Sequence, residues 1–331
     1  MEWFRWTENK LQIFGDDRTI EIVFPEIQAP NEMFHPPVFS ADGRYIAVAD
    51  SEKIYAYDLL NGKHLESPGK FRNVTLTLRF DARNRIYYCD CNHIGRWDLA
   101  AQKIEPLYTM SRVVHGPESL GISPDCRYVS FCKYRSSSYY LYVYDTETKQ
   151  CMDMKLALYR YAWLDETHIV WTGGSGLRIL DIESGKSSTP IKDWSAIYKK
   201  SKKHDADLLN MFCGKARGRV NTDIALLGVK DGRIMFSLWV SHYYRENEEN
   251  FLEDLKSIEH RGVWSAEKDG TNPAFCYADP DIDGKAVYKA FREDGSFFWK
   301  DEENLHIFDG KAVRRMDLPC SPVRYYEMRN R

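Results

Sequence analysis

The chain has 331 residues, 43% of them hydrophobic and 14% aromatic, enough for a sizeable core in two domains or in one large all-β domain. Its 46 basic and 49 acidic residues leave a net charge of −3, which carries no global nucleic-acid signature. No stretch approaches the roughly 18 uncharged apolar residues of a membrane span.

In chain order the first elements are three short strands in the head, "EWFRWTENKLQIFGDDRTIEIVF", residues 2 to 24, with turns at "TENK" and "GDD". A four-part phrase follows. "SADG" is a turn whose Asp and Gly tolerate the turn backbone. Tyr45 to Ala49 is a β-rich strand. "KIYAYD" is an alternating strand ending on Asp58, and "LLNG" turns the chain into a fourth strand. The phrase returns. It ends on Asp98 in "NRIYYCDCNHIGRWDLAAQK", on Asp145 in "CRYVSFCKYRSSSYYLYVYDTETKQ", on Asp181 in "THIVWTGGSGLRILDIESGK" and on Asp309 in "GSFFWKDEENLHIFDGK". The first four ends are 40, 47 and 36 residues apart. The 128 positions between Asp181 and Asp309 hold another copy, "GRIMFSLWVSHYY" and "RGVWSAEKDGT", divided by a long interruption. The tail "VRYYEM", residues 323 to 328, is an isolated strand.

Four antiparallel strands every 40 or so residues is about the period of a β-propeller blade. A β-sandwich of many hairpins does not usually repeat one phrase at fixed spacing. Six copies, plus a blade assembled from the tail strand and the three head strands, predict an all-β, seven-bladed propeller in a single domain, 1–331. The N- and C-terminal strands would close it within one blade, removing the sheet edges that an open ring exposes. Six blades with a separate cap is the alternative. Seven blades hold about 47 residues each, the long end of the expected period.

In a propeller, the loops between strands two and three and the connections between blades share one face around the channel, and function concentrates there. Two insertions are expected on that face near blade five, residues 190–222 and 243–260. In the first, Trp194, Ile197 and Tyr198 follow Asp193 at helical spacing, and Leu208 to Phe212 run to Gly214. It carries Lys199, Lys200, Lys202, Lys203, Lys215, Arg217 and Arg219. In the second, Phe251, Leu255 and Ile258 make the stripe of a short acidic helix. The opposite charges suggest a paired lid.

The phrases "FSADGRYIAVA", 39 to 49, and "ISPDCRYVSF", 122 to 131, resemble the S-P-D-G-[KR] phrase of WD40 repeats and of the WD40-like repeats in TolB-type propellers. "RWDL", 96 to 99, is similar to a single WD dipeptide, and "DLLNGK" and "DIESGK" resemble the strand ending common to both groups. The Gly-His pair that opens a standard WD40 blade is missing from every copy. The resemblance therefore implies a divergent WD40-like or TolB-like propeller, and it implies no common active site.

The candidate chemistry is sparse. "CDCNH" places Cys89, Cys91 and His93 around a tight turn, a possible start of a zinc site that lacks a visible fourth ligand. Cys89 as a small strand hydrophobe is the simpler reading. "TGGSG", 172 to 176, has no Lys-Ser/Thr after it and reads as a loop between strands rather than a phosphate cradle. The eight cysteines are scattered, several in apolar runs, and suit reduced buried thiols better than disulfides. The 9 Trp, 21 Tyr and 16 Phe sit mostly at alternating strand positions and read as core.

Rim positions able to bind a ligand are Arg72, His93, Arg112, His115, Tyr159, Arg160 and His242. No complete catalytic set is visible. The expectation is a non-catalytic module that binds a protein or a small ligand through its loop face and channel mouth. The alternative is a propeller lyase or hydrolase with its site under the blade-five insertions. No cofactor, metal, nucleic acid or membrane is expected. "MEWFRWTENK" lacks the regions of a signal peptide, so the expected location is cytoplasmic, a leader removed beforehand aside.

Overall fold

The computed structural model describes residues 3–7, 10–14, 19–24, 27, 37–50, 52–71, 77–90, 93–110, 118–135, 137–158, 161–174, 176–193, 197, 218–245, 255–278, 288–291, 297–300, 304–308, 313–317 and 325–326. The chain divides into two compact units, Met1–Tyr159 with Pro319–Arg331, and Arg160–Leu318. The described residues form seven four-stranded antiparallel sheets, four in the first unit and three in the second. The all-β class and the four-strand repeat agree with the sequence reading.

In the first unit, β1 (Trp3–Thr7), β2 (Lys10–Phe14) and β3 (Thr19–Val23) are completed by β28 (Tyr325–Tyr326). The tail strand pairs with the head, Tyr326 opposite Phe4 and Tyr325 opposite Arg5, so both ends of the chain share one sheet. The second sheet holds β4 (Val38–Phe39), β5 (Tyr45–Ala49), β6 (Ile54–Asp58) and β7 (Lys63–Glu66). The third holds β8 (Arg79–Phe80), β9 (Arg85–Asp90), β10 (His93–Asp98) and β11 (Lys103–Thr109). The fourth holds β12 (Glu118–Ile122), β13 (Tyr128–Arg135), β14 (Ser138–Asp145) and β15 (Cys151–Ala157).

Side-chain alternation explains how these sheets hold together. Successive strand residues point to opposite faces. On β5, Ile46 and Val48 enter a core shared with Leu11, Ile13, Ile22 and Phe24 of the first sheet. Ala47 enters a different core, shared with Ile86, Tyr88 and Trp97 of the third sheet. On β9, Ile86 and Tyr88 face that core, while Tyr87 and Cys89 face one shared with Val129, Phe131 and Tyr144 of the fourth. The middle strands are therefore buried on both faces, which is why they read as near-continuous apolar runs. Trp97, of the single WD dipeptide, is fully buried. Removing a ring such as Phe131, also fully buried, would cost roughly 3–5 kcal/mol.

The polar residues of the repeated phrase build its turns. The Ser40 hydroxyl donates to Asp42 at 2.6 Å and accepts from the Tyr45 amide at 2.8 Å. Asp42 accepts from the Arg44 amide at 2.9 Å. Gly43 sits at φ 71°, and Cys126 occupies the same left-handed position of the next full phrase at φ 66°. Ser123, Asp125 and Tyr128 repeat the bonds of Ser40, Asp42 and Tyr45. Asp58, which ends its strand, is nearly buried and takes both Arg44 Nε at 3.1 Å and Arg44 Nη2 at 2.7 Å. It also accepts from the Leu60 amide at 3.0 Å, closing the following turn. Asn84 Nδ2 donates to Asp42 at 2.8 Å, tying the turns of two neighbouring sheets.

The second unit contains β16 (Tyr161–Trp163), β17 (His168–Gly173), β18 (Gly176–Asp181) and β19 (Ser187–Ile191) in its first sheet. Its second sheet has β20 (Gly218–Lys230), β21 (Arg233–Arg245), β22 (Leu255–Ala266) and β23 (Ala274–Ala278). Its third has β24 (Tyr288–Phe291), β25 (Phe297–Lys300), β26 (Asn304–Phe308) and β27 (Val313–Asp317). Val170, Leu177 and Ile179 share one core with Ile224, Phe236, Leu238, Val240 and Trp264.

The insertions differ from the sequence reading. The acidic helix expected over 245–260 is not formed at its second half: residues 255 to 260 belong to β22 and pair with β21 from Arg245↔Leu255 to Val240↔His260. Cross-strand backbone pairing overrides the helical spacing of Leu255 and Ile258, as tertiary context commonly does with short patterns. Residues 246–254, with Phe251, lie outside the described residues. In the other insertion, residues 190 and 191 end β19 and residues 218–222 begin β20. Ile197 is buried and joins the core of this unit. Residues 198–217, including the Lys and Arg run and the expected lid contact, lie outside the described residues. Among the described residues, no helix is long and apolar enough to cross a membrane.

The Arg44 guanidinium holds the Asp58 carboxyl below the usual carboxylate range, from 3.8 to about 2. A depressed value means that the folded state favours the ionised form. The contribution is full above the ordinary value and fades as the pH falls towards about 2. Asp58→Asn should therefore lower stability at neutral pH and flatten the loss of stability between about pH 4 and 2. Urea melts across that range check it. Parallel slopes for the two proteins would count against the role assigned to this carboxylate.

Candidate functional site

The hairpin β9–β10 borders a cleft in the first unit. Its register sets Tyr88 opposite Gly95 and Asp90 opposite His93. With the two-residue period of a strand, these four residues share one face. Gly95 is required there: a Cβ on it would lie 2.2 Å from the Tyr88 hydroxyl oxygen. The Tyr88 ring thus crosses the backbone of the neighbouring strand and meets the Phe71 ring at 4.6 Å between centroids. Phe71 is held in turn by its amide, which donates to the Glu52 carbonyl at 2.7 Å.

Together these residues wall a cleft of about 340 Å³. Pro68, Gly69, Lys70 and Phe71, from the connection after β7, form one side. Tyr88, Asp90, His93 and Ile94 form another, and Ile104 and Pro106 of β11 complete it. Pro106 is tolerated because β11 is an edge strand, and the β10–β11 pairing shifts register at Ile94/Gly95. The walls are rings and aliphatic carbon. The polar groups are few, the usual composition of a small-molecule site.

Asp90 Oδ1 accepts from the His93 amide at 3.1 Å and contacts His93 Nδ1 at 2.9 Å. A carboxylate only accepts, so this contact places a ring proton on Nδ1. Lys70 Nζ is taken by Glu52 at 2.8 Å. Burial pushes the Tyr88 phenol far above its ordinary value, and the Asp90 charge adds to the effect, so the hydroxyl stays protonated.

Of the seven rim residues expected from the sequence, His93 lines this cleft. His242 lies in β21, opposite Val220 on one side and Ile258 on the other. Arg72, Arg112, His115, Tyr159 and Arg160 lie outside the described residues. The possible zinc ligands are separated by register. Cys89 pairs with Ile94 and is fully buried against the fourth sheet, whereas His93 pairs with Asp90 on the opposite face. Cys91 lies outside the described residues. Among the described residues there is no group of three or more potential metal ligands.

Sequence reasoning missed Phe71, Tyr88 and Asp90. An alternating strand gives no hint that one of its rings also faces a cleft. The signal that could have found them was Gly95, a glycine inside a strand otherwise fit for packing, which marks close approach of another group.

A second polar cluster sits in the second unit. Asp165 accepts from the amides of Thr167 at 3.0 Å and His168 at 2.8 Å, and contacts His168 Nδ1 at 2.8 Å. Lys268, from the turn after β22, reaches both Asp165 and, at 3.0 Å, His168 Nδ1. Burial alone would raise the Asp165 carboxyl. The Lys268 ammonium, the Thr167 amide and His168 outweigh it and hold the carboxyl well below the usual range. The cluster joins the turn after β16 to the turn after β22, and so clips two sheets of this unit together.

The Tyr88–Gly95 contact can be tested by a double-mutant cycle. Gly95→Ala should destabilise the protein by about 1–3 kcal/mol through overpacking. The same change in a Tyr88→Ala background should cost clearly less, because the clashing ring is gone. Additive losses in thermal or urea melts would show that the two residues do not press on each other.

No family model matches the sequence. No curated protein matches it. Solved structures do. An oligogalacturonate lyase in complex with manganese is similar over 95% of this chain and 83% of its own, with a TM-score of 0.54 and 11% identity. An oligogalacturonate lyase from Vibrio parahaemolyticus is similar over 95% of this chain and 86% of its own, with a TM-score of 0.57 and 10% identity. A mitotic checkpoint complex chain covers 96% of this chain and 89% of its own at 10% identity, with a TM-score of 0.49. At such identities the likeness shows the fold alone. With the succession of four-stranded antiparallel sheets, it makes this chain a divergent propeller repeat protein.

Proposed function

We propose that this chain is a non-catalytic binding protein, and that its ligand or a projecting side chain of a partner protein seats in the cleft beside the β9–β10 hairpin. The observation that carries this reading is the cleft itself: about 340 Å³, walled by Phe71, Tyr88, Ile94, Ile104 and two prolines, with Lys70, Asp90 and His93 as its polar residues. Apolar walls supply affinity by shedding water, and a few fixed polar groups supply orientation. The reading includes a cytoplasmic location, supported by Cys89 and Cys126 as free, buried thiols. It includes neither nucleic acid nor a membrane as partner.

A fragment screen by ligand-observed NMR tests the proposal. Ile104, half-buried in the wall, can be enlarged to tryptophan to fill the space. Fragments that bind the native chain should lose about tenfold or more in affinity for Ile104→Trp, while the melting temperature changes little. The bound fragments should be recovered chemically unchanged. Binding that ignores Ile104→Trp would reject the cleft as the site, and conversion of a fragment into product would reject the non-catalytic reading.

A further inference from the structure

In the second unit, His168 Nδ1 has more neighbours than one ring nitrogen can serve. Asp165 Oδ1 lies 2.8 Å from it, Lys268 Nζ 3.0 Å and Thr167 Oγ1 3.0 Å. A ring nitrogen either carries a hydrogen or offers a lone pair. The Thr167 hydroxyl can answer either state. Asp165 and Lys268 cannot, since a carboxylate only accepts and an ammonium only donates. The neutral ring can carry its hydrogen on Nε2, so that Nδ1 accepts from Lys268, which also donates to Asp165. The charged ring has hydrogens on both nitrogens. Its Nδ1 then serves Asp165 alone, and the Lys268 ammonium is left beside a second positive charge.

The surroundings isolate that choice. Asp165 and Glu166 stand on the turn before His168, Asp181 is opposite it on β18, and Lys268 and Glu267 come from the facing turn. Glu267 is committed to Arg233. Against the pull of burial, the Lys268 ammonium and the Thr167 amide hold the Asp165 carboxyl well below the usual range. Bonds from Ser184 hold Asp181 below it as well. Both carboxylates therefore stay ionised from about pH 8 to 5, the interval in which a histidine ordinarily changes charge.

The turn that carries Lys268 is anchored to its own sheet by other groups. Arg233 Nε donates to Ser265 Oγ at 3.2 Å, and Arg233 Nη2 donates to the Asn272 carbonyl at 2.8 Å. Inside the turn, the Glu267 amide donates to the Thr271 carbonyl at 2.9 Å and the Gly270 amide to the Glu267 carbonyl at 2.8 Å. The turn also lies against β19: a Cβ on Gly270 would sit 2.6 Å from the Pro190 carbonyl oxygen. Losing the Lys268 contact would thus shift the turn against the neighbouring sheet without unravelling it.

We infer that His168 is a proton-operated latch between these two sheets. The neutral ring holds Lys268 and seats the turn after β22. The charged ring turns to Asp165 and releases Lys268. A histidine that changes charge inside a packed contact is a common basis of acid-sensitive switches.

NMR on the native chain, His168→Gln and Lys268→Met tests the latch, with thermal melts to confirm that all three fold. At pH 8 the imidazole nitrogen shifts of the native chain should show the hydrogen on Nε2. Between about pH 8 and 5 the backbone amides of Gly270 and Thr271 should shift in step with the His168 ring. His168→Gln keeps a neutral acceptor, so these amides should stay at their pH 8 positions throughout. In Lys268→Met the ring should still titrate, while the two amides lose most of their pH dependence because nothing is left to release. A hydrogen on Nδ1 of the native chain at pH 8 would overturn the latch. So would amides that hold still while the native ring titrates, or that move as far in either variant as in the native chain.

Discussion

The structure depends on one constraint: a strand between two neighbouring sheets must bury both of its faces. On β5 and β9 the alternate side chains go to different cores, and each core is completed by the next sheet. No sheet of the first unit could shed one face into water without exposing a row of aliphatic and aromatic residues. The stability of a sheet is therefore inseparable from its neighbour. This is the energetic form of a repeat protein, in which each unit is marginal alone and contacts between units do most of the stabilising. The polar bonds are placed where apolar packing cannot reach, at the turns. Asp58 with Arg44, and Asp145 with Arg127, hold the ends of strands that the cores hold in the middle.

The cleft follows from the same constraint by a local exception. Tyr88 belongs to a core face, and most of its ring is buried in that role. Gly95 removes the side chain that would have filled the space opposite, and the register shift beside it displaces β11. Pro68 to Phe71, after β7, line one side of the gap. A small residue, a register shift and a proline on an edge strand together open a space where regular strands would have closed it. The Asp90–His93 pair lies at the end of the hairpin, where a strand no longer needs an apolar partner and polar chemistry costs little.

The two polar clusters show how similar residues acquire different roles. In the second unit Asp165, His168 and Lys268 satisfy one another across two sheets. In the first, Asp90 and His93 meet within one hairpin, with no group arriving from another sheet in that contact. The Asp-x-x-His spacing is the same. The difference lies in whether a third group arrives from the neighbouring sheet.

The sequence by itself determined the all-β class, the four-strand repeat and the meeting of head and tail. These follow from local rules, namely turn residues, two-residue alternation and a phrase that returns at nearly constant spacing. Alternation also assigned Tyr55 and Tyr57 to the core, and both pack in one. The site was barely legible. His93 could be placed at a rim because it sits beside a turn, but Phe71, Tyr88 and Gly95 come together only through cross-strand register and a connection between sheets. Residues 255 to 260 mark the opposite limit, where an apolar spacing fit for a helix gave way to pairing with β21. Tertiary structure decided these points because a hydrogen-bonded partner strand, which no local window contains, fixes both the conformation of a segment and the face its side chains present.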